Sequence, residues 1–529
     1  MNHKLIKRLG LCSIYVLLFV SCTDSYDSVV EDDNLVLNSF SFLEANNSFL
    51  KVDYYGTIDE EDGTITVIVP GLKDFSGLVA NISGCFDKAE VGGAELISGI
   101  TKLDYASTRK LTLISSTGIT KDYKILVYGY NALPVVTIDT EEEAPIESKT
   151  NYVSANIKIM NSPEWGELRV EGRVRGRGNA SWKSFPKKPY KIKFDAKQSP
   201  FGFPPNKDWI LLADYTDKSQ MRTAYMSELS RAVRMDFTIN CQHVELYLNG
   251  EYRGIYQLTD QVEKAKNRVN IEDDGFIIED DTYYLEESYY FTTDIEKVNY
   301  TFKYPKLDDQ GAIEANSGNI KFIKNYINKI EESLSLLEKD INDLTYTTYI
   351  ESEAYAKWYI AAELTGNLDP NLYYVLPSKG SKMKMVPLWD AEWSLGLACK
   401  GNKVNPYGWY FYPNHEPMKP TEEFWKSHLC FKYLLKSPAF QDCVKKLWLE
   451  SKPRVKEAQS LLKDISRSLE FAQKDNFEKW PILDKYLGGT LIVCGSWSNE
   501  VEYIEQWLDH RIQWFDCYIN NDFNNVSEI

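Results

Sequence analysis

The sequence predicts an α+β protein in which a small all-β domain precedes a larger mixed domain. Three observations lead to this prediction. Between residues 35 and 131, short alternating or β-branched segments are separated by Gly, Asn, Asp and Pro, which is typical of a β-sandwich. From about residue 132, strand-like segments alternate with helical patterns. After about residue 423, apolar residues recur at spacings of three and four, which indicates a helical C-terminal part.

The first 21 residues have the three parts of a bacterial lipoprotein signal sequence. A basic start precedes an apolar run from Leu9 to Val20, which is too short to span a bilayer core of ~30 Å as a stable helix. A small residue, Ser21, then precedes Cys22. We therefore expect Cys22 to be the lipid attachment point, since two acyl chains give stable anchoring. A plain secretory signal with a chance cysteine is the alternative.

The net charge and the cysteine content limit the classes of binding partner and the cellular locations that are expected for this protein. Residues 22–34 are acidic and polar and are expected to form a tether. The formal net charge of −17 argues against nucleic acid. The cysteines beyond the signal are odd in number and contain no CxxC pair, so they indicate neither a disulfide framework nor a zinc site. We expect a cell-envelope protein held by lipid, at the periplasmic or the surface face of the outer membrane.

The all-β segment, residues 35–131, is expected to be a small sandwich of immunoglobulin type. Its strand-like runs include 64–69 and 123–128. No residue pattern within it points to catalysis. A spacer or a module that binds a partner is therefore the predicted role.

A glycine-containing turn stands near the start of the mixed domain, residues 132–520. The run RGRGN, residues 175–179, lies between two strand-like segments, and the second segment carries Lys191 and Lys193 on the face opposite its apolar residues. A backbone turn with an ammonium beside it is a layout that holds nucleotide phosphates. Taken alone, such a glycine run is more often only a tight turn.

Two aspartates farther along the chain are expected to meet at one end of a hairpin. A helix is predicted from near Ser352 to a C-cap at Gly366. Two strand-like runs, at 372–376 and 383–388, follow with turn residues between them. If these runs pair antiparallel, Asp369 and Asp390 lie at the same end of the hairpin. Two such carboxylates suit divalent metal binding beside a general base.

The order of these parts is that of protein kinases, although the usual kinase motifs are missing. The runs RVRGRGNASWKSFPKKPYKIKF, DYTDKSQMRTAYMSELSR, VELYLNGEYRGIYQLTDQVEKAKNRVNI and PLWDAEWSLG together resemble the CotH kinase family, named for a spore coat protein. The resemblance covers roughly residues 134–520. It implies an atypical protein-kinase-like fold that transfers phosphate from ATP, with Mg²⁺ or Mn²⁺, to Ser or Thr of a cell-envelope or surface protein.

The resemblance also assigns residues of the reaction centre. Asp369 matches the catalytic acid that accepts the hydroxyl proton, and Asp390 matches the metal-holding acid. Asn371 is placed as a further metal ligand by geometry rather than by motif. Glu392 departs from the family, which commonly reads Trp-Asp-x-Asp at this point, and the longer side chain bears on metal geometry.

The same resemblance also implies which residues bind the nucleotide phosphates. Arg175 and Asn179 match the glycine turn, and Lys193 is expected to be the phosphate lysine, with Lys191 as the alternative on the same strand face. Two further departures are Ala180, where the family favours Ser, and Asp260, where it usually has Glu.

The second hypothesis is a catalytically inactive pseudokinase that acts as a surface scaffold or as a lipoprotein that binds protein or glycan, without a cofactor. Its basis is the location, because phosphoryl transfer needs ATP and little ATP is expected beyond the inner membrane. The aromatic run 407–412 is a candidate for stacking on sugars. An aromatic core patch is the alternative for that run.

Overall fold

The computed structural model describes residues 35–50, 52–69, 72, 74–128, 133–160, 165–367, 371–397, 405–411, 429–488 and 490–521. The chain forms two compact units, of which the first contains Met1–Val67 and Asp74–Val127 and the second contains Ile68–Lys73 and Tyr128–Ile529. Cys22, the acidic tether and Asp369 lie outside the described residues.

The strands, in chain order, are β1 (Val36–Phe42), β2 (Tyr54–Tyr55), β3 (Thr57–Asp59), β4 (Thr64–Ile68), β5 (Leu78–Val79), β6 (Asn81–Cys85), β7 (Lys88–Val91), β8 (Ala94–Glu95), β9 (Lys102–Leu103), β10 (Arg109–Ile114), β11 (Thr120–Tyr128), β12 (Val135–Thr140), β13 (Val153–Met160), β14 (Leu168–Gly176), β15 (Tyr190–Gln198), β16 (Asn206–Leu212), β17 (Cys241–Leu248), β18 (Glu251–Asp260), β19 (Phe276–Asp280), β20 (Tyr290–Thr292), β21 (Asn299–Tyr304), β22 (Leu372–Leu376) and β23 (Lys384–Met385).

The helices are α1 (Ala180–Ser184), α2 (Arg222–Ala232), α3 (Gln310–Ala315), α4 (Ser317–Ser335), α5 (Ser352–Thr365), α6 (Leu429–Leu434), α7 (Pro438–Leu469), α8 (Ala472–Lys479) and α9 (Trp497–Asn521). Among the helices that the structure describes, none is both long enough and apolar enough to cross a membrane.

The first unit is all-β in its described part, which confirms that part of the prediction. It contains the sheets β2-β1-β6, β3-β4-β11-β10-β7-β8 and β5-β9. Its core includes Phe40, Phe42 and Tyr105, whose rings meet edge to face at centroid distances of 5.2 to 6.3 Å. The immunoglobulin type of sandwich remains a prediction.

The second unit begins with a closed barrel in the order β12-β13-β14-β15-β16-β18-β17. The barrel closes because β12 pairs parallel with β17, although the strands are more than 100 residues apart in the chain. Alternation along β15 places Ile192 in the barrel core and the flanking Lys191 and Lys193 on the other face. The sequence predicts these strands and their alternation, but a closed barrel was not expected from it.

A five-stranded sheet, β20-β21-β19-β22-β23, and the helices complete the second unit. The predicted hairpin is confirmed, since Tyr374 of β22 lies opposite Met385 of β23. The predicted helix and its cap are also confirmed, because α5 ends at Gly366 with a φ of 59°. The stripe of buried residues on α4 runs from Ile320 to Leu334, whereas Ile341 lies beyond the helix and is 48% exposed.

The helical C-terminal part is confirmed by α6 to α9. The aromatic run before it belongs to the core in its described part, since Trp409, Tyr410 and Phe411 are at most 1% exposed. Trp409 meets Trp514 at a centroid distance of 5.0 Å. The core-patch alternative is therefore confirmed for these three residues, and the sugar-stacking hypothesis is wrong for them.

Candidate active site

A cleft of about 400 Å³ opens between one end of the barrel, the ends of the neighbouring strands β19 and β22, and the loop that follows β23. Its polar lining combines the glycine turn, the ends of three strands and the acids of the loop. The polar side chains of this lining include Arg177, Asn179, Lys187, Asp214, Asp281, Asn371, Asp390 and Glu392. Several predicted site residues therefore meet in one place.

Asp390 lies in this cleft in a backbone conformation that few residues adopt. Its φ is +65°, in the left-handed region that is uncommon for residues other than glycine and is tolerated best by Asn and Asp. The buried amide of Asn367, which follows α5, donates from Nδ2 to the Asp390 backbone oxygen at 2.5 Å. The end of α5 thus holds the loop in place, and such strained positions cluster at functional sites.

Asn371, at the start of β22, lines the same cleft. Its Nδ2 donates a hydrogen bond to Oε1 of Glu279 on the neighbouring strand β19. Lys303 binds the other oxygen of that carboxylate at 2.7 Å. Because the amide nitrogen is occupied, the Asn371 oxygen is the atom left for a cation.

The glycine turn approaches the cleft closely. Gly178 has a φ of +84°, and a Cβ at this position would lie 2.3 Å from Oγ of Ser181. A Cβ on Gly176 would lie 2.5 Å from the ring of Trp182. Both positions therefore require glycine, and the turn is packed against the short helix α1. Asn179 ends the turn and accepts a hydrogen bond from Lys149 Nζ at 2.9 Å.

Arg177 stands between the two glycines and reaches the loop of Asp390. Its guanidinium lies over the ring of Trp389, 6.0 Å from the ring centroid. Burial lowers the pKa of Arg177, and the charge of Asp390 is the first of the influences that oppose this shift. The turn thus places a cation beside the predicted metal-holding acid.

A second polar group, formed by Lys187, Asp214 and Glu392, lies deeper in the cleft. Lys187 Nζ donates to the Ile255 backbone oxygen at 2.5 Å, and burial lowers the pKa of Lys187 to about 7. Burial and then the neighbouring Glu392 raise the pKa of Asp214. Oε1 of Glu392 accepts hydrogen bonds from the amide and the hydroxyl of Thr216, each at 2.6 Å.

Asn179, Asn371 and Asp390 are the predicted site residues that line the cleft. Arg175 does not line it, because its guanidinium donates to the backbone oxygen of Lys149 and lies 5.2 Å from the Tyr152 ring centroid. The described lining does not include Lys191, Lys193 or Asp260 either.

These three residues form ion pairs elsewhere. Lys191 lies 2.9 Å and Lys193 3.9 Å from Asp208 on the outer face of the barrel. Asp260 is paired with Arg268 at 3.1 Å. Asp369 belongs to the stretch between Asn367 and Asn371 that is not described.

Sequence reasoning missed Arg177 and Lys187 as cleft cations and Asp214 and Asp281 as cleft acids. The sequence signal for these residues was weak: Arg177 belongs to the glycine run, and Lys187 lies three residues before the start of β15 at Tyr190. Which of several basic residues faces the cleft depends on how the barrel closes. Barrel closure cannot be predicted from the local residue pattern.

The lining is compatible with a divalent ion held jointly by protein and phosphate. Within the described ranges, no three His, Cys, Asp or Glu side chains are grouped closely enough to hold a metal ion. Mg²⁺ at phosphate-transfer sites usually takes only one or two carboxylates, with substrate oxygens and waters as its other ligands. Asp390 with the Asn371 oxygen fits such a donor set.

One of three comparisons with known proteins agrees with the sequence resemblance. A family model described as CotH kinase protein matches residues 173–515. No curated protein matches the chain. A solved structure from Bacteroides thetaiotaomicron, described as a "putative glycoside hydrolase", aligns over 54% of this chain and 78% of its own, with 11% identity and a TM-score of 0.16. That score is too low to support an argument about fold or function.

Proposed function

The chain belongs to the CotH kinase protein family, and on this premise we propose that it is an exported, lipid-anchored atypical kinase. It transfers phosphate from a nucleotide to Ser or Thr of a cell-envelope protein. The observation that carries the proposal is the meeting of Asn371 and Asp390 with the glycine turn in one cleft. Oxygen ligands for a metal and a close backbone turn are the parts that phosphoryl transfer needs. The kinase-like fold is part of the same proposal.

In this proposal, Asp390 and Asn371 hold Mg²⁺ or Mn²⁺ together with the nucleotide phosphates. The metal, when bound, neutralises charge on the transferred group. Glu279 and Asn367 position the two protein ligands through the hydrogen bonds described above. Glu392 is not assigned as a metal ligand in this arrangement, because Thr216 engages its Oε1 from both the backbone amide and the hydroxyl.

Asp369 is proposed as the general base. The acceptor hydroxyl oxygen forms the new bond to phosphorus as the bond to the nucleoside diphosphate oxygen breaks, and the hydroxyl proton passes to Asp369. Its place in the chain, between Asn367 and Asn371, supports a position beside the metal-holding pair. A base within hydrogen-bond reach of the hydroxyl is the geometry this step requires.

We further propose that Cys22 carries the lipid that holds the protein in the cell envelope, at the outer membrane. The substrate is then an envelope or surface protein that the tethered domain reaches. Cys22→Ser is expected to move the protein from the detergent phase to the aqueous phase in a phase-partition assay. Full-length protein that partitions equally with and without this change would overturn the anchoring proposal.

The kinase proposal is tested with the full chain purified in detergent. Nucleotide binding is measured by calorimetry with and without Mg²⁺ or Mn²⁺, and transfer is measured with labelled ATP and a Ser- and Thr-containing acceptor protein. We expect Asp390→Ala to abolish metal-dependent binding. Asp369→Ala should preserve binding and lower transfer by about 100-fold or more. Glu338→Gln, an exposed surface change on a 3₁₀ turn, is the control.

The outcomes separate the two functional hypotheses. Transfer retained in Asp369→Ala would overturn the assignment of the base. Binding that is unchanged in Asp390→Ala would overturn the metal assignment. Binding without any transfer, under both metals, would favour the pseudokinase scaffold.

A further inference from the structure

Arg177 is a cleft cation that the described contacts leave without a hydrogen-bonded partner. Its guanidinium forms neither a hydrogen bond nor an ion pair within the ranges the structure describes. It makes a cation–π contact with the Trp389 ring. Lys187, the other cation identified above in the lining, is instead bound by the Ile255 oxygen. The protein therefore supplies a hydrogen-bond acceptor to Lys187, whereas the described residues supply none to the guanidinium of Arg177.

A guanidinium that has no anionic partner in a partly buried site lowers the stability of the protein, and a bound anion can supply that partner. The Arg177 side chain is partly buried and lines the cleft, so its guanidinium can be reached from the cleft. It carries five N–H donors in a planar fork. Partial burial of a charge that lacks a counterion costs free energy, and an anion bound in the cleft would offset that cost.

The surroundings of Arg177 select the kind of anion. Stacking on Trp389 restricts the plane of the guanidinium, and a planar fork matches two oxygens of one phosphate. Asp390 is the first charge that acts on Arg177. An anion bound here would therefore lie near a carboxylate, and a metal ion bound with the anion, as nucleotide polyphosphates carry, would offset the repulsion between the two negative charges.

We propose that Arg177 binds the terminal phosphates of the nucleotide, the role expected of Lys193 from the sequence. The inference rests on the proposed kinase function and names the residue that recognises its phosphate donor. The ligand class is a polyphosphate with a metal ion. Lys193 is held on the other face of the barrel wall, 3.9 Å from Asp208.

Pyrophosphate is the probe, because it contains the phosphates without the base and ribose. The full chain in detergent is titrated with pyrophosphate and Mg²⁺ by calorimetry, as wild type, Arg177→Gln and Arg177→Lys. We expect about 30-fold weaker binding for Arg177→Gln, and a smaller loss for Arg177→Lys because a lysine keeps the charge but not the fork. Arg173→Gln is the matched control, since Arg173 lies on β14, the strand that leads into the glycine turn, and contacts Tyr152 rather than the cleft.

Thermal unfolding and phosphate transfer are measured for the same variants. Arg177→Gln that unfolds like wild type but binds pyrophosphate equally well would overturn the inference, and so would wild-type protein that does not bind pyrophosphate. Arginine-dependent pyrophosphate binding in a protein that transfers no phosphate would support the inference and contradict the proposed kinase activity. An equal loss in Arg173→Gln would mean a general charge effect and would also overturn it.

Discussion

The side-chain amide of Asn371 donates a hydrogen bond to the buried carboxylate of Glu279 on the adjacent strand. This contact orients an amide that lines the cleft, and Lys303 holds the same carboxylate from its other side at 2.7 Å. Partners of this kind orient the atoms that contact a metal, and losing one commonly costs tenfold or more in affinity. The strand pair β19 and β22 therefore connects the sheet to the proposed metal site.

The first prediction concerns this connection. Glu279→Gln removes the charged acceptor of the Asn371 amide, so the proposed metal ligand is less well oriented. We expect the Mg²⁺ concentration needed for nucleotide binding to rise by about tenfold. The measurement is a metal titration at fixed nucleotide concentration. Glu287→Gln, which removes a more exposed neighbour of the same lysine at 3.4 Å, should leave the titration unchanged, and an equal rise there would contradict the argument.

The second prediction concerns the glycine turn. Gly176→Ala places a Cβ about where the Trp182 ring now lies, 2.5 Å away, and such overpacking typically costs 1–3 kcal/mol. We expect a lower unfolding temperature and weaker nucleotide binding, because Trp182 belongs to the helix that borders the cleft. Replacing Trp182 by Phe in the same protein should restore part of both losses.

Gly318→Ala is the control for this change. Gly318 lies in the first turn of α4 with nothing within 4 Å of an added Cβ, and alanine has a higher helix propensity than glycine. This variant should be slightly more stable than wild type and should bind nucleotide equally well. Equal destabilisation by both alanines would mean that steric contact with Trp182 is not the cause.

Local signals in the sequence were sufficient for two elements of the second unit. The C-cap at Gly366 and the hairpin that leads to Asp390 both depend on residues close together in the chain. Turn and cap chemistry acts over a few residues, so the pattern alone identifies it. The placement of Asn371 and Asp390 in one cleft follows from such local geometry.

The basic residues of the cleft are placed there by contacts that no local pattern describes. Alternation correctly puts Lys191 and Lys193 on one face of β15. Which face meets the cleft is set by the closure of the barrel through β12 and β17, a pairing between distant segments. For this reason the sequence directed attention to Lys193, whereas Arg177 and Lys187 are the basic residues in the described lining of the cleft.

The third prediction concerns pH and Glu331, which is 3% exposed and lines a small cavity with Asp280. Oε1 of Glu331 has no hydrogen-bond partner among the described residues, and burial raises the pKa of the carboxyl to about 7. Between its ordinary value of 4.5 and 7, the folded protein therefore binds more protons here than the unfolded chain does. Stability falls as pH rises through this window.

Glu331→Gln removes that dependence. We expect the variant to unfold about 3 °C higher than wild type at pH 8, and at nearly the same temperature at pH 4.5. Differential scanning calorimetry at several pH values measures the difference. Parallel unfolding temperatures for the two proteins across this range would show that the Glu331 carboxyl does not take up a proton on folding.

The fourth prediction concerns the ion pair of Arg511 and Glu363, which links α9 to α5. Both side chains are fully buried and their charged atoms are 2.5 Å apart. Glu363 also accepts hydrogen bonds from the amides of Tyr410 and Phe411. Arg511→Met leaves an uncompensated carboxylate in the core, and breaking a buried pair in this way costs about 3–5 kcal/mol.

This cost arises from the carboxylate that remains, so removing it as well should relieve part of the loss. The double variant Arg511→Met with Glu363→Gln is expected to unfold at a higher temperature than Arg511→Met alone, because no buried charge is left without a counterion. Arg467→Met, which breaks an exposed pair with Asp464, should change stability by less than about 1 kcal/mol. If the double variant were less stable than either single change, the pair would act through packing of the arginine stem against Tyr410 and Trp514 rather than through its charge.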